Sequence, residues 1–541
     1  MFLKENPVLQ RELLVNLRMA RAFLLLFFYI AALGVVVYVA WPSAKRLDVG
    51  AGEAKTLVNL FFLGQYILMA LMTPSFAGGA ITGEKERQTY EMLLASPMRP
   101  GAIVFGKLLA ALCHLAVLVF ASLPIVMLCL PLGGVSLYEV LATYVAMAAS
   151  VVTFGMICLT LSSYFSRTIA ALVVSYLVIL PLALFGVLFF WAARQQAEFR
   201  MVMLAGFFPA GCGVVCAMLF GATARRLLRP PDVGAEAKDA IDPDVEQKTA
   251  VGMVIRSDQF PDKLFAPPKR NDLMDPRINP VYDKEMRSEL FGQGTLMLRL
   301  VIQLSMFLAL PLMAVCLYMF QALAPWYAAY VLVFNILVGP VFSAGTITSE
   351  RERQTLELLL TTTLSPWQIL WGKMLSSLRV SCVLTSFLVW PLLLAWLLPP
   401  WTYFSDTATL CLYAAIVALS SLTTGTLAMF CSVVFRKTSV SMMTAYLAII
   451  LLFALPLAVN LLAQMFFPFA PATQWINQFT FTSPFAAAFN LPLTLGNLEA
   501  PAIFGNWAVA LGYFTFYLVL DAGLIGGMLW LFNMRWRVST A

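Results

Sequence analysis

Few stretches of this sequence place reactive residue types at a spacing that could do chemistry. The nearest approach to a phosphate-binding loop is G-A-I-V-F-G-K-L, at residues 101–108. Leu108 stands where such a loop needs a magnesium-binding Ser or Thr, and the stretch opens an apolar segment instead of following a strand. We therefore predict that this chain binds no nucleotide, so that any ATP and Mg²⁺ would be bound by another chain.

Metal and nucleophilic chemistry have even less support in the sequence. His114 is the only histidine and lies inside an apolar run, where we interpret it as a packed, hydrogen-bonded residue. The nine cysteines fall mostly inside apolar runs and show no C-x-x-C spacing, so we interpret them as small core residues. The sequence also shows no nucleophile–base pair. We predict that the chain is not an enzyme and binds no metal or other cofactor.

Polar residues inside apolar segments are the remaining candidates, because a charge within a membrane span is costly and commonly functional. Asp521 lies near the middle of the last apolar segment, and Arg379 lies well inside another. Asn335 and Gln65 are further polar points of this kind. Two interpretations stay open for these four residues: they line a translocation path, or they form hydrogen bonds between helices.

The composition places the chain in a membrane. It is 61% hydrophobic and 12% charged, whereas an average soluble domain has about 25% charged residues. Many apolar runs reach the roughly 20 residues that cross a bilayer. The net charge of +7 comes from Lys and Arg at the ends of apolar segments, which is typical of membrane topology. We predict a multi-pass membrane protein that contacts lipid and has no nucleic-acid partner.

One stretch organises the chain because it occurs twice. I-T-G-E-K-E-R-Q-T-Y-E-M-L-L at residues 81–94 returns as I-T-S-E-R-E-R-Q-T-L-E-L-L-L at residues 347–360. Three shorter matches keep the same order: N-P-V-L-Q-R-E from Asn6 and N-P-V-Y-D-K-E from Asn279, Gly106-Lys107 and Gly372-Lys373, and F-S-R-T from Phe165 and F-R-K-T from Phe435. Four ordered matches predict the duplication of one module.

The apolar pattern predicts an all-α polytopic fold of about twelve transmembrane helices in two pseudo-symmetric six-helix repeats. The repeats occupy residues 1–224 and 279–541, and a polar linker at 225–278 joins them. The spans are predicted near residues 22–41, 57–79, 104–130, 138–162, 169–191 and 201–224, and near 298–320, 326–347, 368–398, 408–434, 440–468 and 505–533.

Loop charges orient these spans. Lys and Arg cluster around both repeated stretches and in the linker, whereas the loops 131–137, 399–407 and 469–504 contain neither. The positive-inside rule then places both termini, the linker and both repeated stretches in the cytoplasm. A loop with Lys45, Arg46 and Lys55 opposes this orientation as a minority. Both halves have the same orientation, so we expect their pseudo-two-fold axis along the membrane normal.

Two elements flank the predicted spans. Residues 6–21 have leucines at four-residue steps with charges off that stripe, which predicts an amphipathic helix on the membrane surface, capped by Asn6. The outer loop before the last span is short in the first half but covers about residues 468–505 in the second, with several aromatics. A re-entrant hairpin, an outer cap and a plain interfacial loop all stay open for it.

Each repeated stretch is predicted to be one short charged helix. In the first copy Thr82 or Gly83 begins it, and the prolines at 97 and 100 end it. In the second copy Ser349 and Glu352 have the spacing of a capping box. An arginine and a glutamate four residues apart can pair on each helix, namely Arg87 with Glu91 and Arg353 with Glu357. Such a helix with an apolar flank fits a docking surface for a soluble partner or a solvated loop.

The motif E-K-E-R-Q-T-x-E-x-L-L, followed by proline and then x-G-K-x-L at the start of the next segment, resembles ABC-2 type transporter permeases. The opening N-P-V-L-Q-R-E-L-L-V-N-L-R is similar to the N-terminal helix of that family. The similarity covers most of each half, so the chain resembles two such permeases fused in tandem. That departs from the family's usual single six-helix chain.

The resemblance implies an exporter in the plasma (inner) membrane, with a coupling helix between helices two and three of each half that docks an ATP-binding subunit. One chain would then replace a permease dimer and dock two ATPase copies, which would bind the ATP and Mg²⁺. Carried onto this sequence, the coupling helices cover residues 84–96 and 350–362. The docking residues implied are Glu84, Glu86, Arg87, Glu91, Glu350, Glu352, Arg353 and Glu357.

Two other classes of function stay open from the sequence. A major-facilitator-type secondary transporter also has six plus six helices, although the loop after the second span lacks that family's G-x-x-x-D-R-type motif. A non-transporting scaffold that recruits a soluble protein through the repeated stretches is the other alternative. The sequence does not name a substrate.

Overall fold

The structure is a computed structural model that describes residues 6–17, 52–86, 89–129, 136–165, 168–192, 197–228, 279–287, 307–352, 354–398, 403–466, 471–494 and 505–536, with a few single positions between. Its regular elements are all helices, and no strand occurs in these ranges. The chain divides into two compact units, Met1–Ile241 and Asp242–Ala541. Apart from its first residues, the predicted linker at 225–278 lies outside the described ranges, so its boundaries stay a prediction.

In its described residues the first unit contains a short N-terminal helix, long apolar helices and two short helices that follow the first of these long helices. Its helices are α1 (Pro7–Leu17), α2 (Gly52–Ala77), α3 (Thr82–Glu86), α4 (Tyr90–Leu94), α5 (Pro100–Cys129), α6 (Leu137–Tyr164), α7 (Thr168–Ala192), α8 (Ala197–Val202) and α9 (Phe208–Leu228). A π-helical turn, Met203–Phe207, joins α8 to α9. Helix α6 packs on α2, α5, α7 and α9 and is therefore the central helix of this unit.

The second unit repeats this order and adds a helical outer segment. Its helices are α10 (Pro280–Arg287), α11 (Ala324–Ser343), α12 (Thr348–Glu352), α13 (Leu356–Leu360), α14 (Pro366–Leu397), α15 (Thr407–Val434), α16 (Thr438–Ile449), α17 (Leu455–Phe466), α18 (Pro471–Gln478), α19 (Pro484–Phe489) and α20 (Trp507–Trp536). Helix α15 packs on α11, α14, α16 and α20, so it is central here as α6 is in the first unit.

The described ranges contain nine helices that are long and apolar enough to cross a membrane, or ten if the two segments of α5, bent by 41°, count as one span. These helices occupy ten of the twelve predicted span positions. The predicted span at 22–41 lies almost wholly outside the described ranges, and of 298–320 the structure describes chiefly an apolar helix, Phe307–Met319. The all-helical, multi-pass prediction is confirmed, whereas the twelve-helix, two-repeat layout stays a prediction.

The prediction of one continuous helix in each repeated stretch is wrong. Two five-residue helices replace it in both units, α3 with α4 and α12 with α13. In the second unit Gln354 has φ 57°, its N–H donates to Arg351 O, and the N–H of Thr355 donates to Glu350 O at 2.9 Å. These two bonds and a left-handed residue make a Schellman motif, which ends a helix. Glu352, predicted for a capping box, accepts hydrogen bonds from Thr438 of α16.

The first unit has the equivalent backbone and side-chain bonds from the threonine to the glutamate. The N–H of Thr89 donates to Glu84 O at 3.0 Å, and the hydroxyl groups of Thr89 and Thr355 donate to the carboxylates of Glu84 and Glu350. Such local side-chain bonds compete with helical hydrogen bonding. The break therefore follows from the Glu and the Thr five residues later that both copies of the stretch contain.

The outer segment of the second unit is helical and packed on its own unit. Helix α19 contacts α11, α15 and α20. Asp406, just before α15, accepts hydrogen bonds from the N–H of Thr494 at 2.9 Å and from its hydroxyl at 2.6 Å. Trp475 and Phe479 remain largely exposed. Of the alternatives left open for this loop, a helical cap on the second unit fits these contacts best.

Candidate functional site

The repeated stretches form two compact structures at equivalent places in the two units. We name residues 81–94 the first knob and residues 347–360 the second knob. The isoleucines that begin the knobs, Ile81 and Ile347, are buried in apolar clusters with residues of the neighbouring long helices. Burial of an aliphatic side chain contributes about 1.5–3 kcal/mol. Each knob is therefore anchored in the core of its own unit.

A serine of the central helix caps the start of each knob. In the first unit Ser162 Oγ accepts hydrogen bonds from the N–H groups of Ile81 and Thr82, at 3.1 and 3.0 Å. In the second unit Ser432 Oγ accepts both equivalent bonds at 3.0 Å. The first N–H groups of a helix lack partners within it. Here a serine from a helix distant in sequence supplies the missing acceptor, which fixes the first knob to α6 and the second knob to α15.

A buried lysine joins each knob to two other elements. Lys107 of α5 lies 3.2 Å from Glu84 Oε1 in the first knob and 3.5 Å from Glu12 Oε1 in α1. Only 3% of Lys107 is exposed. A charge this deeply buried needs compensating partners, and the two carboxylates provide them. We name Glu12, Glu84 and Lys107 the first lysine cluster.

The second lysine cluster joins the equivalent three elements of the second unit. Lys373 of α14 lies 2.7 Å from Glu285 of α10 and 3.1 Å from Glu350 of the second knob, and 2% of it is exposed. The largely exposed Lys284 also lies 3.2 Å from Glu350. Since the Gly-Lys pair is repeated at the same offset from the knob, both copies of the module have kept this cluster.

The glycine before each lysine admits the N-terminal helix of its unit. Asn6 caps α1 as predicted, since its Oδ1 accepts the N–H of Leu9, and its Nδ2 donates to Ala102 O at 2.8 Å. A Cβ on Gly106 would lie 2.9 Å from Asn6 Nδ2. In the second unit Asn279 donates to Gln368 O at 2.7 Å, and a Cβ on Gly372 would lie 3.0 Å from Asn279 Oδ1.

The opposite side of each knob is bonded to the turn after the central helix. Lys85 donates to the carbonyls of Ser163 and Phe165 at 2.7 and 2.8 Å, and Glu86 accepts the N–H of Thr168 at 2.7 Å. Arg351 donates to Phe435 O at 2.7 Å in the second unit. Glu86 thereby satisfies the first turn of α7, where a carboxylate also interacts favourably with the helix dipole.

The outward surface of each knob is a glutamate beside a large apolar residue. In the first knob these are Glu91 and Met92, and Met92 is 75% exposed. In the second they are Glu357 and Leu358, and Leu358 is 69% exposed. Tyr90 is buried beneath the first pair, where burial raises the pKa of its phenol. We name these two pairs the exposed Glu–apolar pairs.

The predicted docking residues thus fall into three groups. Glu84, Glu86, Glu350 and Glu352 bond to residues of their own unit. Glu91 and Glu357 are exposed. Arg87 and Arg353 lie outside the described residues, so the predicted pairing of each arginine with a glutamate stays a prediction.

Three of the four candidate path residues lie in the second unit, and each of them bonds to a neighbouring helix of that unit. In the second unit Asp521 is 3% exposed and accepts hydrogen bonds from Thr426 at 2.7 Å and Thr423 at 2.9 Å. Asn335 of α11 accepts a hydrogen bond from Thr424 of α15, the helix that also contains Thr423 and Thr426, at 3.3 Å. Arg379 instead donates to Tyr282 of α10 at 2.6 Å. These contacts are hydrogen bonds between helices, and a role of the three residues in a translocation path stays a prediction.

Gln65 makes the same kind of contact in the first unit. Its Nε2 donates to Ser122 Oγ at 2.7 Å, while its buried Oε1 has no partner among the described residues. Ser122 Oγ also lies 2.9 Å from Tyr144 Oη of the central helix. Gln65 therefore links α2 to α5 and, through the serine, to α6.

Sequence reasoning did not assign the residues that hold the knobs in place. These are the two cluster lysines, the glycines before them and the two capping serines: Lys107, Lys373, Gly106, Gly372, Ser162 and Ser432. The glycine–lysine pairs carried a signal, because they recur at a constant offset from the knob. The serines precede the F-x-x-T match by three residues in both units, which is the second signal that could have found them.

Comparison with known families agrees with the repeated motif. The family model described as ABC-2 family transporter protein matches residues 8–204 and 232–533. The two matched segments include both knobs and both lysine clusters. A search among curated proteins gives no match to the chain.

Proposed function

Because the chain belongs to the ABC-2 family of transporter proteins, and is thereby a multi-pass membrane permease of an ABC transporter, we propose that it exports a substrate with ATP hydrolysed by separate subunits. The ATP-binding subunits with which this family generally works supply the ATP and Mg²⁺ in this proposal. The chain supplies the path and the two docking knobs, and it has no ATPase activity of its own.

The observation that carries the proposal is that each knob has one exposed Glu–apolar pair. Met92 and Leu358 are 75% and 69% exposed on knobs that are otherwise bonded firmly into their units. An exposed methionine or leucine offers apolar surface whose burial by a partner is favourable, and methionine is enriched at protein interfaces. The pairs are alike in the two knobs, which supports two copies of one ATP-binding subunit per chain.

In the proposed cycle, ATP draws two ATP-binding subunits together in the cytoplasm, and the knobs move with them. The two halves then rock to open a path away from the cytoplasm. Both termini are cytoplasmic in this arrangement, and the membrane is the plasma (inner) membrane. The positive-inside pattern of the loops supports that orientation.

The first test is purification of the full chain from native membranes in mild detergent, with identification of co-purifying proteins and an ATPase assay. We expect a stoichiometric P-loop ATPase. Met92→Asp together with Leu358→Asp should remove the ATPase without lowering the amount of permease, because both side chains are exposed. Thr363→Asp is the matched control, since it adds a charge at an exposed position three residues after the second knob.

Three outcomes would contradict the proposal or part of it. Ion-gradient-driven transport by an ATPase-free chain would favour a secondary transporter. Binding of a soluble protein through the knobs without ATP hydrolysis would favour a scaffold. Retention of the ATPase by the double variant would show that docking takes place elsewhere on the chain.

A further inference from the structure

The two lysine clusters are not explained by docking. Their lysines are almost fully buried, and each cluster includes one carboxylate of the knob and one of the N-terminal helix of the unit. The lysine itself belongs to the long helix that follows the knob. Three elements that are distant in sequence therefore meet at one side chain, and they do so in both units.

Stability alone does not account for this arrangement. Replacing a buried ion pair by apolar residues of similar size is often neutral or stabilising, whereas removing only one partner is strongly destabilising. An apolar cluster could therefore have held the same elements together. What charged hydrogen bonds add is direction: they fix donor–acceptor distances and orientation, whereas hydrophobic contact is non-directional.

We propose that Lys107 and Lys373 are positioning residues that make each knob, the N-terminal helix and the following long helix of its unit move as one body. This inference rests on the proposed function, because a bound ATPase subunit is what would displace the knob. Displacement of Glu84 is then passed through Lys107 to Glu12, so that α1 moves whenever the knob moves. Glu350, Lys373 and Glu285 do the same for α10.

The contacts around the clusters favour this transmission. Each N-terminal helix has a second attachment to the same long helix through Asn6 or Asn279, so it cannot pivot freely about one bond. The knob itself is broken between its two short helices. The glutamate of the cluster lies in the first short helix, before the break, and its threonine partner lies after it. The lysine is therefore bonded at the joint of the knob.

The test measures backbone hydrogen exchange of the full chain with its co-purified ATPase, comparing the nucleotide-free state with the state trapped by ADP and vanadate. In the wild type we expect trapping to change exchange in residues 7–17 together with residues 82–94. Glu12→Gln removes only the carboxylate of α1. It should weaken the change in residues 7–17, where the bond from Asn6 to Ala102 still attaches α1 to α5, while the change in residues 82–94 and in α10 is kept.

The second unit provides the matched control. Glu285→Gln should weaken the response of residues 280–287 and leave that of residues 7–17 intact. Lys107→Arg, which keeps a charged donor in place, should keep the response of α1, whereas Lys107→Met should not. A wild-type response of α1 in Glu12→Gln, or loss of the response in both units from one substitution, would overturn the inference.

A second arm separates failure of this inference from failure of the proposed function. If no ATPase co-purifies, exchange is measured on the chain alone. Lys107→Met should then raise exchange in both α1 and the first knob, Lys107→Arg should restore both, and α10 should stay unchanged. A rise confined to the knob would show that the lysine does not link it to α1.

Discussion

The two units are alike around their knobs and unlike in the middle of their long helices. A capping serine, a buried lysine with two carboxylates and an asparagine against a glycine recur in both units, although Lys107 lies 3.5 Å from Glu12 and Lys373 only 2.7 Å from Glu285. At mid-helix the second unit has Asp521 bonded to Thr423 and Thr426 of α15. In the first unit Thr153 and Met156 occupy the equivalent positions of α6, and Cys216 Sγ lies 3.4 Å from Thr153 Oγ.

The difference indicates which part of the duplicated module was held constant. The contacts around the knobs involve many residues at once, so a change in one leaves another buried polar group unsatisfied. The mid-helix position has a sulfhydryl group in the first unit, at Cys216, and a carboxylate in the second, at Asp521. Either group can be accommodated, because the threonine opposite it, Thr153 or Thr423, also bonds to a carbonyl of its own helix. We infer that the two halves present like knobs to their partners and unlike interiors to a substrate.

The largest effect is expected from introducing the second unit's carboxylate into the first. Cys216→Asp should destabilise the protein by about 3 kcal/mol, the cost of a carboxylate at the centre of a span, because Thr153 is the one side chain that the described part of the structure bonds to residue 216. Adding Met156→Thr should recover part of the loss, and thermal unfolding in detergent measures both.

In the second unit, Asp521→Leu should cost less than about 1 kcal/mol, since Thr423 and Thr426 retain bonds to backbone carbonyls.

If Cys216→Asp is tolerated without Met156→Thr, the two interiors are more alike than their hydrogen bonds indicate. The transport activity of Asp521→Leu, measured once a substrate is known, then decides whether Asp521 serves the path or only the packing. Asp521→Asn is the matched control, because it keeps the shape of the side chain.

A smaller and symmetric effect is expected at the capping serines. Ser162→Ala and Ser432→Ala each leave two buried N–H groups without an acceptor, so each should cost about 2 kcal/mol. The two losses should agree, since the four distances lie between 3.0 and 3.1 Å. Replacement by threonine serves as the control that keeps the hydroxyl. Clearly unequal losses of stability would show that the two serines do not hold their knobs in the same way.

The smallest effect concerns the turn between the short helices. Gln354 has φ 57°, a conformation that costs a non-glycine residue about 1–2 kcal/mol. Gln354→Gly should stabilise the second unit by about 0.5 kcal/mol, once the greater freedom of glycine in the unfolded chain is subtracted. Gln88→Gly should give the same gain if the first knob has the same turn, and a loss there would show that the turns differ.

The sequence predicted the elements better than it predicted their contacts. Lengths of apolar runs located the long helices to within a few residues, and the internal repeat located both knobs. The break in each knob was missed because Thr89 and Thr355 compete with the helix through side-chain bonds. Lys107 was noticed in an imperfect phosphate-binding motif and in a repeated Gly-Lys pair. Its contact was missed because its partner Glu12 is 95 residues away and no local pattern reports such a contact.

The attachment of each N-terminal helix also has a consequence for biosynthesis. Asn6 bonds to a carbonyl 96 residues later, and Asn279 to one 89 residues later. At about 5–20 residues per second, a ribosome needs roughly 5–20 s to make the partner of α1. During that time α1 has no bond to α5, while the spans between them are inserted. Since each delay lies within one unit, the first half can finish docking its leading helix before the second half emerges.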